Sequence, residues 1–182
     1  RRPVRAIVLA AGRGTRMHSN LPKVLHPLFG KPLLDYPLQI LARLGVKTPL
    51  VVVGWGKDRV RAQLDGRVET LVQSPQRGTG HAVQIVRPKM GRSRNDLLIW
   101  PADMPLVREE TVRRLIHDHQ HSNSQATVLS SLMANPTGYG RILRRGGQVV
   151  GIREEVDATE AEKRIHEVNT GVYLFEPKPL FE

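Results

Sequence analysis

The chain has 182 residues, no cysteine, 28 Lys and Arg against 17 Asp and Glu, and a formal net charge of +11. That length suits one domain able to bury roughly 70% of its unfolded surface, so no covalent staple is required. The lack of cysteine excludes disulfides and thiolate metal centres and fits a reducing cytoplasm, while apolar runs no longer than strands argue against a membrane span.

The positive charge favours anionic partners. Its clusters, at Arg87, Lys89, Arg92 and Arg94 and at Arg141, Arg144 and Arg145, lack the interleaved aromatics of single-strand-binding surfaces. They read as solvated charge and argue against nucleic acid. Arg1, Arg2 and Arg5 ahead of AIVLAAG imitate a secretory leader, but the apolar stretch is too soon interrupted by Arg13 and Arg16. The first residue is arginine, not methionine, which reads as a trimmed start.

In chain order, VRAIVLA (Val4 to Ala10) is the first strand, apolar enough to be covered on both faces of a parallel sheet. A helix follows over Leu34 to Leu44, stopped by Gly45. Strands at Leu50 to Val53, Val68 to Val72 and Leu97 to Trp100 alternate with helices at Lys57 to Leu64, Thr79 to Val86 and Glu109 to His119. This βαβ alternation predicts an α/β fold with a mostly parallel sheet and helices on both faces. The pattern then changes. Arg141 to Leu143 and Val149 to Ile152 flank a hairpin turn at Gly146-Gly147, Val172 to Phe175 is one more strand, and together they predict a smaller antiparallel lid over the acceptor side.

The chemistry concentrates in LAAGRGTRM (Leu9 to Met17), at the carboxyl end of the first strand, where open α/β sheets bind ligands. Gly12 and Gly14 let a phosphate approach the backbone, and Arg16 and Lys23 add a flat guanidinium and a mobile ammonium. Met17 stands where a dinucleotide fingerprint needs its third glycine, and no Gly-Lys-Ser/Thr closes a Walker loop. The same glycines would also serve an ordinary strand-to-helix turn. Asp103, just past the strand ending at Trp100, is the candidate metal ligand; magnesium prefers hard oxygen donors and uses only one or two carboxylates. A turn role before Met104-Pro105 is the alternative.

His117 and His121 share a helical face, yet His119 points elsewhere and Ser122-Asn123-Ser124 marks the helix end. Partly charged histidines suit that terminus without a metal. His81, beside Gly80, reads as a helix-start residue and not as a base.

With Pro22-Lys23-Val24-Leu25, the first loop resembles the signature of sugar nucleotidyltransferases. Further matches run through Gln73-x-x-Gln76-x-Gly78-Thr79-Gly80-His81-Ala82, Asp103-x-Pro105-Leu106, Pro136 to Arg141, Glu154 and Asn169-Thr170-Gly171. Together, from about Val4 to Phe175, they are similar to the bacterial N-acetylglucosamine-1-phosphate uridylyltransferases. The resemblance implies a Rossmann-like fold and a Mg2+-dependent cytoplasmic enzyme. It would join UTP to N-acetylglucosamine 1-phosphate, releasing UDP-N-acetylglucosamine, a cell-envelope precursor, and pyrophosphate. It places Leu9, Ala10, Ala11 and Gly12 around the nucleotide and has Gln73 and the backbone of Gly78 read the base, with Gln76 and Thr79 nearby. Gly140, Glu154 and Asn169 fall to the sugar, Asp103 to the metal, and Arg16 and Lys23 to catalysis.

Three departures qualify the match. Pro101 and Ala102 stand where the family often carries an aromatic and a glycine, so base preference could differ. The family's second metal-binding asparagine falls beyond Glu182, and the β-helical acetyltransferase region often appended in these enzymes would follow later still. Residues 1–182 are therefore expected to form a truncated nucleotidyltransferase domain, with oligomerisation through the missing C-terminal part. Two other functions stay open: a related transferase with another base or sugar, and a non-catalytic nucleotide-binding fragment.

Overall fold

The computed structural model describes residues 2–122 and 124–182. The elements in order are β1 (Val4–Ala10), β2 (Pro27–Leu28), β3 (Lys31–Pro32), α1 (Asp35–Arg43), β4 (Leu50–Val53), α2 (Lys57–Leu64) and β5 (Glu69–Val72). Then come α3 (Gly78–Ile85), α4 (Arg87–Met90), β6 (Asp96–Pro101), α5 (Glu109–His121), β7 (Ala126–Leu132), β8 (Arg141–Arg145) and β9 (Gln148–Arg153). Last are α6 (Glu160–Lys163), β10 (Glu167–Phe175) and α7 (Pro177–Phe181). Where composition suggests one domain, the chain divides into two compact units, residues 1–127 with 173–182 and residues 128–172.

The first unit is α/β. Its strand order is β5-β4-β1-β6, all parallel, with Tyr173–Phe175 of β10 added antiparallel to β6. β1 and β4 are central, and Ile7, Val8, Leu50, Val51, Val52 and Val53 are fully buried, as expected of strands covered on both faces. Ile7, Leu50, Val52, Leu97 and Ile99 pack with Val83, Val86, Met90 and Phe181. Alternation sends Ala6, Val8 and Trp100 to the opposite face, equally buried. Burial of each large aliphatic side chain there contributes about 1.5–3 kcal/mol before chain entropy is subtracted.

The strand order positions the site. After β1 the chain builds β4 and β5 on one side of it, then crosses to place β6 on the other. The loops leaving β1 and β6 therefore diverge, which opens a crevice at the carboxyl ends of these two neighbours.

Within α5, Val112, Leu115 and His119 form the buried stripe at helical spacing. His119 is 3% exposed; its Nδ1 lies 2.8 Å from Thr127 Oγ1 and its Nε2 4.0 Å from Asp96 Oδ1. Burial holds its imidazole below the usual pKa against the pull of Asp96. The expectation of a partly charged terminal histidine is corrected here, because its place on the stripe outweighs the helix dipole. His117 and His121 stack at 3.9 Å, and among the described residues no three His, Cys, Asp or Glu side chains converge as a metal site. Of the expected helix-end tripeptide, Asn123 lies outside the described residues, as does Arg1 of the leader-like start.

The second unit is antiparallel, with β8 between β9 and the first half of β10, and β7 also paired to β10. The β8–β9 hairpin turns at Gly146 and Gly147, whose φ values of 56° and 80° match a tight turn with two left-handed residues. β7 and the small β2–β3 hairpin are additional to the elements the sequence pattern predicts. Among the described residues no helix is long and apolar enough to cross a membrane.

Candidate nucleotide site

The cleft in the first unit has a volume of about 330 Å³. Its floor is the β1 exit: Leu9, Ala11 and Gly12 line it, and a Cβ built on Gly12 would meet nothing within 4 Å. Gly14 has φ +65°, and a Cβ there would sit 2.6 Å from Lys23 Cβ. Glycine is thus required twice over, for the left-handed turn and for the Lys23 stem that lies against it. A 3₁₀ turn at Lys23–Leu25 brings Lys23 into the lining, with Leu34 N–H donating to the Val24 carbonyl at 2.9 Å.

The other wall comes from the β6 exit. Ala102 N–H donates to the Leu9 carbonyl at 2.9 Å, which locks the two loops in register, and Pro101 and Asp103 face the cleft. Lys23 Nζ donates to Asp103 Oδ2, an ion pair across eighty positions of sequence in which each side chain stays about one-third exposed. The expected cation and the expected metal ligand therefore share one edge of the cleft.

The third wall is the β5 exit and α3. Gln73, Gln76, Gly78, Thr79 and Ala82 line it. Gln73 is 4% exposed; its backbone N–H donates to the Val53 carbonyl at 2.7 Å and its Nε2 donates to the Gly78 carbonyl at 2.9 Å. His81 Nδ1, 3.2 Å from the same Nε2, is the second partner of that amide nitrogen. Both amide protons are thereby engaged inside the protein, leaving Oε1 as the atom for a ligand. The amide was expected to offer a donor and an acceptor; only the acceptor remains.

Three expected residues stand outside the lining. Ala10 is buried beneath it and Gly14 supports Lys23 from behind. Arg16 is exposed in the 3₁₀ turn Thr15–Met17 and makes no side-chain hydrogen bond or ion pair among the described residues. Instead Arg13 lines the cleft, its guanidinium carbon 5.7 Å from the centre of the Trp55 ring. The sequence shows two arginines in Gly12-Arg13-Gly14-Thr15-Arg16; the one that lines the cleft is Arg13, ahead of the left-handed turn at Gly14.

In the second unit, Gly140, Glu154 and Asn169 come together. Asn169 N–H donates to the Gly140 carbonyl at 2.8 Å, and a Cβ on Gly140 would lie 2.9 Å from Glu154 Oε1. The loop before them is held by Arg141, 1% exposed, which pairs with Glu155 at 2.6 Å and donates to the carbonyls of Lys163 and Tyr139. The Arg141 hydrogen bond holds the Glu155 carboxyl below its usual range.

The model of the MobA-like NTP transferase domain matches residues 6–163. The bifunctional protein GlmU of Syntrophotalea carbinolica is 45% identical over 97% of this chain, which spans 38% of that protein. GlmU of Desulfitobacterium hafniense is 42% identical over 97% of the chain and 39% of its own length. Among solved structures, a putative glucose-1-phosphate thymidylyltransferase from Bacillus anthracis superposes with a TM-score of 0.80 at 19% identity, over 97% of this chain and 73% of that one. A UDP-glucose pyrophosphorylase complexed with UDP-glucose gives 0.79 at 17% identity, over 98% and 78%. These two likenesses show a shared Rossmann-like fold.

Proposed function

The chain belongs to the MobA-like NTP transferase domain family, and from that premise we propose that it is the nucleotidyltransferase part of a longer enzyme that transfers uridylyl from UTP to N-acetylglucosamine 1-phosphate. The products would be UDP-N-acetylglucosamine, for envelope synthesis in the cytoplasm, and pyrophosphate. The observation that carries this reading is the Lys23–Asp103 pair at the mouth of a glycine-floored cleft. Relatives named GlmU, 42–45% identical, support the choice of base and sugar.

The attacking oxygen of a sugar 1-phosphate is already ionised at neutral pH, so the reaction needs no protein base. The bond to form is from that oxygen to the α-phosphorus of UTP, and the bond to break is the one to the departing pyrophosphate. This chain's work is to align and neutralise. Gly12 admits the phosphates, and Lys23, preplaced by Asp103, turns its ammonium to their oxygens as they enter. Gln73 Oε1 accepts from uracil N3–H; cytosine presents an acceptor at that position and is rejected. Arg16 keeps its proposed role as a second cation for the pyrophosphate, reached from the surface of the same loop. Gly140, Glu154 and Asn169 are proposed to hold the acceptor sugar.

Asp103 fits a magnesium ion, being a hard, one-third-exposed carboxylate on the lining of the cleft in a chain with no competing thiolate. Bound there, the ion would supply positive charge between two anions that must approach each other. Residues 1–182 are proposed to be one functional nucleotidyltransferase region, with oligomerisation through chain beyond it.

The test is pyrophosphate release in magnesium from each of the four ribonucleoside triphosphates with N-acetylglucosamine 1-phosphate, using this chain and a longer version side by side. UTP should be the preferred donor. Preference for another triphosphate would assign a related transferase instead. UTP binding without release from the short chain, with release from the longer one, would favour a binding fragment, a reading supported by a span of under two-fifths of the relatives.

A further inference from the structure

We propose that Arg13, seated on the indole of Trp55, receives the phosphate tail of the nucleoside triphosphate, and that Trp55 is its positioning residue. This rests on the nucleotidyltransferase reading above and assigns a cation which that reading leaves unused.

Two cations line the cleft, and they differ in how their charge is balanced. Lys23 is paired to Asp103, whereas Arg13 makes no ion pair among the described residues. An anion entering the cleft must draw Lys23 from a carboxylate, but Arg13 meets it with its charge uncompensated. Counting Arg13, Lys23 and Asp103, the lining carries one net positive charge, and it sits next to Gly12, where a side chain's volume is left open.

A long flexible arginine in solvent would lose much of its value to rotamer entropy. Trp55 reduces that loss. With its central carbon 5.7 Å from the ring centre the guanidinium is within cation–π range, an interaction that uses none of its N–H donors and so keeps them for oxygen acceptors. The platform is itself anchored: the Trp55 backbone N–H donates to the Ala11 carbonyl at 3.2 Å. Gly54 passes so near that a Cβ on it would lie 2.6 Å from the same oxygen. The β1 and β4 exit loops thus move together, and the indole keeps a fixed relation to the glycine floor.

The experiment is titration calorimetry of UTP, UMP and uridine against the wild-type chain and R13A, R13K, W55A and W55F, with thermal melting of each variant. R13A should bind UTP about 10- to 100-fold more weakly, the scale of one hydrogen-bonded charge contact, and bind uridine within twofold of wild type. R13K should recover part of the loss. W55A should weaken UTP roughly two- to fivefold while W55F restores it, because the aromatic face and not the indole N–H carries the effect. Unchanged UTP affinity in R13A, or an equal loss for uridine, overturns the proposal. Wild-type affinity in W55A overturns the positioning role. A wild-type chain that binds no UTP overturns the parent reading as well, and so is distinguishable from an R13A that binds like wild type.

Discussion

A single methyl group placed at two glycines separates a backbone requirement from a ligand requirement. At Gly54 the added Cβ would lie 2.6 Å from the Ala11 carbonyl oxygen and 2.9 Å from Ala11 Cβ. Neither is the yielding end of a side chain, so the β1 exit must shift, at about 1–3 kcal/mol by analogy with overpacked cores. For a chain of this size each kcal/mol moves the melting temperature by roughly 2–4 °C, so Gly54→Ala should melt roughly 2–12 °C lower. At Gly12 nothing lies within 4 Å of the built Cβ and φ is not in the left-handed region. Gly12→Ala should therefore melt within about 2 °C of wild type, since unhindered surface substitutions stay within about 0.5 kcal/mol. Its UTP affinity, however, should fall at least about tenfold, the equivalent of one lost charged hydrogen bond, if that space is where phosphate enters. Calorimetric melting and UTP titration on both variants decide the matter. A Gly12→Ala chain with wild-type UTP affinity would reduce the glycine floor to an ordinary turn, and an unshifted Gly54→Ala melt would refute the steric argument.

Lys23→Ala and Asp103→Asn should each lower turnover by at least roughly 100-fold in a pyrophosphate-release assay, the scale of removing one preorganised charge; unchanged turnover in either removes that residue from its role. In the second unit, Arg144 donates to Glu167 at 2.7 and 2.8 Å, and with Ser130 it holds the Glu167 carboxyl at about 2. The folded value lies below the unfolded one, so the stabilisation is present above about pH 4.5 and is lost as pH falls toward 2. Because Arg144 is 45% exposed, solvent screening trims it to about 1 kcal/mol; Glu167→Gln should destabilise by that amount at pH 7 and flatten the acid limb of denaturant-measured stability. His119 acts through the same linkage with a base: its folded pKa is depressed, so stability is lost as pH drops through the unfolded value of 6.5. His119→Gln should remove that component, and an unchanged stability profile between pH 7 and 5 would show that the buried imidazole charges freely in the native state.

The parallel half of the fold was legible because buried parallel strands are written as apolar runs. β1 and β4 are such runs, and α2 coincides with the expected Lys57–Leu64. The hairpin was legible because Gly146-Gly147 has a chemistry of its own. β7 was not, since Ala-Thr-Val-Leu-Ser-Ser-Leu is neither continuous nor cleanly alternating and its burial is only partial. It is a strand because β10 supplies its partner, as in the hydrogen bond from Thr170 Oγ1 to the Leu129 carbonyl. At the site, residue types and their order singled out Lys23, Asp103 and the glycines, and the family resemblance singled out Gln73. Orientation was not readable: local spacing says neither that Gln73 spends its amide protons on Gly78 and His81, nor that Arg13 turns inward. Those facts depend on a left-handed glycine and on a tryptophan from another loop.

The second unit is bracketed by β7 and β10, so the chain leaves and returns along paired strands, clasped where Thr170 meets Leu129 at 2.6 Å. A segment whose two ends are already neighbours can be lengthened, pruned or exchanged as a cassette without asking either cut end to travel. A foreign insert could therefore be grafted between residues 128 and 172 without rerouting the strands of the first unit.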